Sequence, residues 1–247
     1  MKKVNFSAFV VSAYFWFSLF FISALLFPIN FLTWLFTFPF DKRRVVLHRF
    51  TCLWSKIILS INPYWTTRMT GKERLDPEKT YIIVSNHQSG ADILVLFNLF
   101  IHFKWVAKTG LFRIPFLGWN MTLNQYIAIK RSRGRSRLMM MDKAVSAIRE
   151  GNSVMIFPEG TRSRDGNLQP FKNGAFRLAL ETKCDILPVA IKGTFHAIKK
   201  GGFIIHKNRN IHAVILDPFR FESFEGNRPD AVAVKVHDLI QAELNAP

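Results

Sequence analysis

The sequence predicts an α/β fold with a largely parallel sheet flanked by helices, preceded by an N-terminal hydrophobic helical membrane anchor. Three observations carry this. From Trp65 onward, short β-rich runs alternate with helical stretches, the pattern of parallel strands joined by crossover helices. Between Val4 and Phe40 there is no charged residue, and that stretch is long enough to span a bilayer once. No internal repeat or low-complexity linker divides the rest, so residues 63–247 read as one domain behind an anchor of residues 1–62.

Within the anchor, Pro28 and Asn30 interrupt the apolar run, with Lys2 and Lys3 before it and Lys42, Arg43 and Arg44 after it. A single span would leave one basic cluster on the wrong side of the membrane. A helical hairpin that dips into one leaflet or spans twice keeps both on the cytoplasmic face, and the break at Pro28 is where it would turn. No small-residue cleavage site of the usual kind follows a short apolar region, so a removable signal peptide is not expected. Val45–Asn62 mixes apolar and basic residues and reads as a helix at the membrane surface.

In the body, strands are expected at Trp65–Met69, Tyr81–Ser85, Lys104–Ala107, Tyr126–Ile129, Val154–Phe157, Leu187–Ile191 and Ala213–Leu216. Helices are expected near Ala91–Ile101, Ser136–Glu150, Gly174–Thr182 and Ala231–Leu244; Leu138, Met141, Val145 and Ile148 recur at helical spacing.

Lysine and arginine number 34 against 17 acidic residues, a formal charge of +17 that calls for an anionic partner. A membrane surface, a phosphorylated substrate, an acidic carrier protein and nucleic acid all qualify. The basic run Lys130–Arg137 is accompanied by no recognised nucleic-acid motif, so nucleic acid is not expected and anionic lipid is. The two cysteines, Cys52 and Cys184, form neither a disulfide framework nor a zinc spacing, which fits a reducing compartment. No metal site or cofactor is expected.

Two segments carry the chemistry. The first is Asn86-His87-Gln88-Ser89-Gly90-Ala91-Asp92, which follows a buried strand and opens a helix. Positions five apart on one helix point about 140° apart, so His87 and Asp92 meet only if the chain turns between them. Ser89 and Gly90 supply the turn, with Ser89 as a candidate N-cap. Asp92 would then fix the imidazole tautomer and leave the other ring nitrogen as a base. A histidine and an aspartate at this spacing more often merely cap a turn. The second segment shifts the balance. Phe157-Pro158-Glu159-Gly160-Thr161-Arg162-Ser163 ends a strand in a Pro/Gly turn. Arg162 is suited to grip a phosphate through paired hydrogen bonds, and Glu159 to accept from a hydroxyl or orient a basic group. A base beside a phosphate anchor is the equipment for acylating a phosphorylated alcohol.

Together these segments resemble the glycerolipid acyltransferase family, most nearly its 1-acyl-sn-glycerol-3-phosphate acyltransferases. That family carries an Asn-His-four-residue-Asp block and a Phe-Pro-Glu-Gly-Thr-Arg block. Lys108–Trp119 followed by Tyr126–Arg131, and Ile186–Val189, resemble its two further blocks; the likeness runs from about Trp65 to Arg220. Gln125 stands where many members have glycine. The resemblance implies that His87 is the general base with Asp92 as its partner. Glu159, Gly160, Thr161 and Arg162 would form the loop that binds a glycerol phosphate, with Lys108 and Arg131 adding charge. It also implies transfer of an acyl chain from acyl-CoA or acyl carrier protein to lysophosphatidic acid, by a domain on the cytoplasmic face of a membrane (the inner membrane in a bacterium). Other readings are a different acceptor, such as glycerol 3-phosphate or another lysophospholipid, or a non-catalytic membrane lipid-binding protein.

Overall fold

A computed structural model describes residues 6–130, 134–224 and 228–246. The chain begins with α1 (Phe6–Thr37) and α2 (Val45–Ser60). Strands β1 (Trp65–Thr70) and β2 (Ile82–Ser85) follow, then α3 (Ala91–Phe97), β3 (Phe103–Lys108), α4 (Leu117–Leu123) and β4 (Ile127–Ile129). Next come α5 (Gly134–Arg149), β5 (Ser153–Ile156), α6 (Gly174–Thr182), β6 (Ile186–Lys192), β7 (Asn208–Ile215) and α7 (Pro229–Asn245). The strands form one seven-stranded sheet in the order β1-β7-β6-β2-β5-β3-β4. All neighbouring strands run parallel except the antiparallel pair β6–β7. The expected α/β architecture is therefore present, with β1 and β7 reversed against the other strands.

Alternation along the central strands builds two apolar layers. Ile83, Met155 and Leu187 face the side packed by α2 and α3, while Ile82, Val84, Val154 and Ile186 face α5, α6 and α7. A strand covered on both faces needs a continuous apolar run, which is why Ile82-Ile83-Val84 is uniformly buried. From β2 the chain passes through α3 to β3 on one side; from β5 it passes through α6 to β6 on the other. The adjacent carboxyl ends of β2 and β5 thus frame a topological switch point, the crevice where open α/β sheets bind ligands.

The turn expected at Pro28 is not seen. Phe6–Thr37 is one continuous helix of 32 residues with Pro28 inside it. The chain turns instead between Thr37 and Val45, and α2 packs against α1. Proline costs one intrahelical hydrogen bond, but packing on both sides of Pro28 keeps the helix in register. Phe27 lies against Phe116 and Trp119, and Asn30 donates to the side chain of Asn120. The inner and outer faces of α1 are inverted relative to a water-soluble helix. Its buried residues are Ser12, Phe15, Ser18, Ser23 and Asn30, whereas Phe6, Phe17, Phe20 and Phe36 are exposed. Helix α1 is long and apolar enough to cross a membrane.

The strand expectations agree with the structure to within one residue at each end, except that β7 begins at Asn208, ahead of the expected Ala213. The expected helix Ala91–Ile101 ends at Phe97, and a turn follows with Phe100 in the left-handed region (φ 57°). Helix α4 was not anticipated; its short span holds Gly118, where a Cβ would lie 2.4 Å from the Phe112 carbonyl oxygen. Gln125 has φ 57°, the left-handed conformation that glycine adopts without strain. The glycine-requiring shape of that turn is thus kept by a glutamine.

Candidate active site

The site is built at the switch point by the loops after β2 and β5. Asn86 extends β2 through its side chain. Its Nδ2 donates to the Ile191 carbonyl at 2.8 Å and its Oδ1 accepts the Ile191 N–H at 2.8 Å. This two-way clamp to β6 fixes where the chain leaves the sheet, one residue before His87.

His87 Nδ1 lies 2.8 Å from Asp92 Oδ2. The same oxygen accepts the backbone N–H groups of Gln88 and Ser89, each at 2.8 Å. Asp92 is fully buried, so its carboxylate holds the whole turn as well as the imidazole. A carboxylate oxygen only accepts, so Nδ1 carries the proton and Nε2 the lone pair. The ring is stacked on Phe157, with centroids 3.9 Å apart and planes 9° from parallel. Its two in-plane freedoms are set by Asp92 and its tilt by Phe157. The expected cap is corrected: Gly90 occupies the N-cap position of α3. Ser89 Oγ instead accepts the Ala91 N–H at 3.3 Å and donates to the Ile198 carbonyl at 2.9 Å.

The second loop is bolted to the first. Glu159 Oε1 accepts the His87 N–H at 2.6 Å, Oε2 accepts the Gln169 N–H at 3.2 Å, and Ser163 donates its N–H to the His87 carbonyl at 2.8 Å. Glu159 is only 3 % exposed. Burial pushes its carboxyl up to about 7, against the pull of those two N–H donors. With both oxygens engaged on backbone N–H groups, Glu159 braces the two loops.

Gly160 has φ 69°, and a Cβ there would sit 2.7 Å from Lys172 Nζ. A side chain at this position would therefore be strained and would crowd an ammonium. Arg162 reaches back toward the histidine turn: one guanidinium nitrogen lies 3.9 Å from where a Cβ on Gly90 would be. Thr161 and Arg162 are half-buried at the mouth of the crevice. Lys200 Nζ donates to the Arg162 carbonyl at 2.6 Å.

The structure thus brings His87, Asp92, Glu159, Gly160, Thr161 and Arg162 together. Lys108 is exposed at the carboxyl end of β3, on the same edge of the sheet. Arg131 lies outside the described residues. Sequence reasoning missed the Asn86 clamp, the Phe157 stack, and Lys172 and Lys200. Asn86 and Phe157 lie inside the motif blocks, but lysines some distance along the chain leave no local signal.

A tautomer-fixed histidine facing an arginine loop at the carboxyl edge of a parallel sheet defines a site for a base and an anion. The chain belongs to the Acyltransferase family, whose model matches residues 66–192. Among curated relatives, it is 34 % identical over 212 residues to a chloroplastic 1-acyl-sn-glycerol-3-phosphate acyltransferase of Brassica napus, covering 85 % of this chain and 60 % of the relative. It is 37 % identical over 212 residues to a chloroplastic protein of the same name from Arabidopsis thaliana, covering 85 % and 58 %. The chain therefore spans about three-fifths of the length of these relatives. The crystal structure of the 1-acyl-sn-glycerophosphate acyltransferase PlsC from Thermotoga maritima has the same fold, with TM-score 0.79 and 22 % identity over 96 % of this chain and 95 % of that one.

Proposed function

We propose that this chain transfers an acyl group from an acyl thioester to the free sn-2 hydroxyl of lysophosphatidic acid, giving phosphatidic acid. The observation that carries the reading is the His87 Nδ1–Asp92 Oδ2 contact of 2.8 Å, opposite the Arg162 loop. It leaves Nε2 as a base in a partly open crevice, since the His87 side chain is 15 % exposed. The names of the relatives support the same acceptor.

The chemistry follows in balanced steps. Nε2 takes the hydroxyl proton as the oxygen attacks the thioester carbonyl. The tetrahedral oxyanion collapses, the C–S bond breaks, and the imidazolium returns its proton to the departing thiolate. The products are an ester and a free thiol. Asp92 stabilises the transient imidazolium without taking its proton. General-base assistance of this kind contributes about 10²- to 10⁴-fold, and orientation of two substrates adds more. Arg162, with Lys172 beside Gly160, holds the acceptor phosphate, and Lys108 adds positive charge around it. Gly160 and Thr161 shape that loop, while Glu159 holds it against the histidine turn.

The same reading places the chain in one leaflet of a membrane. A bilayer explains why the side chains α1 buries against the body are largely small or polar while its phenylalanines face out. Contacts from Phe15 against Trp65 to Asn30 against Asn120 hold α1 along the body, so it lies in the interface without leaving the domain behind. The excess of basic residues directs the domain to the anionic cytoplasmic leaflet.

The test is a panel assay with purified full-length protein in mixed micelles. Lysophosphatidic acid, glycerol 3-phosphate and lysophosphatidylcholine are offered with acyl-CoA and with acyl carrier protein thioesters. The expected result is thiol release and phosphatidic acid with lysophosphatidic acid alone. Turnover of glycerol 3-phosphate at the higher rate would reassign the acceptor, and no turnover with any pair would refute the reading.

A further inference from the structure

Resting on the membrane placement above, we propose that the segment Lys199–Lys207 is a second membrane contact, with Phe203 inserted among acyl chains and Lys199 and Lys207 set against anionic headgroups. Phe203 is 74 % exposed, yet it is not loosely held. Its carbonyl accepts the Trp16 indole N–H at 2.7 Å, and its ring lies 6.1 Å from the Trp16 ring. Two residues on, the Ile205 N–H donates to Ser12 Oγ at 2.8 Å. An antiparallel bridge between Ile198 and Ile205 closes the base of the segment, and buried Ile205 pins it to the core. The tip holds Gly201 (φ 77°), where a Cβ would meet nothing within 4 Å. A phenylalanine is therefore presented outward on a fixed tip, at the level of the third turn of α1.

The occupant is an anionic bilayer on two grounds. The Phe203 surface continues the exposed apolar face of α1, where Phe9, Phe17 and Phe20 are more than half exposed. It is flanked by the exposed Lys199 and Lys207, an arrangement that matches acyl chains below and phosphates at the rim. The segment also touches both catalytic loops. Ser89 donates to the Ile198 carbonyl at 2.9 Å, and Lys200 donates to the Arg162 carbonyl at 2.6 Å. Membrane contact here would seat the acceptor-binding loop at the surface from which a lysolipid arrives.

The experiment places an environment-sensitive fluorophore by Phe203→Cys in the full chain, Cys52 and Cys184 being buried. A second protein carries the label at Phe17→Cys on the outer face of α1. Both are bound to vesicles of phosphatidylcholine with and without phosphatidylglycerol, containing acyl-chain quencher lipids. The expected result is blue-shifted, quenched emission at both positions, stronger at 203 on anionic vesicles. Adding Lys199→Gln and Lys207→Gln should remove that anionic preference at 203. A water-like, unquenched label at 203 beside a quenched label at 17 would overturn the inference while leaving the α1 placement standing. Water-like emission at both would overturn the two together. Equal quenching at 203 on neutral and anionic vesicles would overturn the headgroup assignment to the lysines.

Discussion

One oxygen of Asp92 holds both the imidazole of His87, at 2.8 Å, and the two backbone N–H groups that form the turn beneath it. Orientation of the base and shape of the loop are therefore a single interaction. Asp92→Asn breaks it in a defined way. An amide can present an N–H where the carboxylate accepted, which sets the wrong tautomer and leaves the histidine's protonated nitrogen facing substrate. The expected outcome is a fall in kcat of about 10²-fold or more with little change in either KM, read by steady-state kinetics.

Arg162 should act on the acceptor and not on the donor. Arg162→Ala is expected to raise KM for lysophosphatidic acid and also to lower kcat, since the phosphate is the strongest handle for placing the hydroxyl against Nε2. Arg162→Lys restores the charge but not the paired geometry and should rescue in part. A rise in donor KM with acceptor KM unchanged would move this residue to the thioester site.

Glu159 makes stability depend on pH. Its carboxyl is pushed up to about 7 from 4.5, chiefly by burial. A carboxyl whose folded value is raised stabilises the fold fully below its unfolded pKa, and that stabilisation is lost as pH rises through the folded value. Between about pH 4.5 and 7 the loss is on the order of 3 kcal/mol. Glu159→Gln cannot ionise, so thermal midpoints in detergent should show the native protein losing ground to this variant as pH rises across that window. Parallel curves would contradict the assignment.

Gln125 is exposed and left-handed, at φ 57°. A non-glycine residue there costs about 1–2 kcal/mol of backbone strain, partly offset by the extra freedom of glycine in the unfolded chain. Gln125→Gly should therefore stabilise the protein by about 0.5–1 kcal/mol, measured by denaturant midpoint, with kinetics unchanged.

Much of this was legible in the sequence because central strands must be apolar on both faces: Ile82–Val84, Val154–Ile156 and Ile186–Ile191 show it directly. The first residues of β7, Asn208-Arg209-Asn210, read as loop and are drawn into the sheet by pairing with β1. Proline at position 28 reads as a break, but contacts with Phe116 and with α4, a helix too short to signal in sequence, pack both sides of it. In the site, the motif blocks named His87, Asp92 and Arg162 and gave each an expected role, but not the backbone contacts that hold the two loops together. Glu159 reads in one dimension as a hydroxyl acceptor or an orienting group, and the two backbone hydrogen bonds it accepts in three leave no sequence signal.

The central claim is that His87 Nε2 is the base for acyl transfer, and one comparison tests it most directly. Native protein and His87→Ala are assayed side by side with lysophosphatidic acid and acyl thioester, with thermal midpoints measured on the same preparations. The account predicts kcat below about a tenth of native, and as low as about 10⁻⁴, at a near-native midpoint. A correctly folded His87→Ala protein that keeps more than about a tenth of native kcat would contradict it.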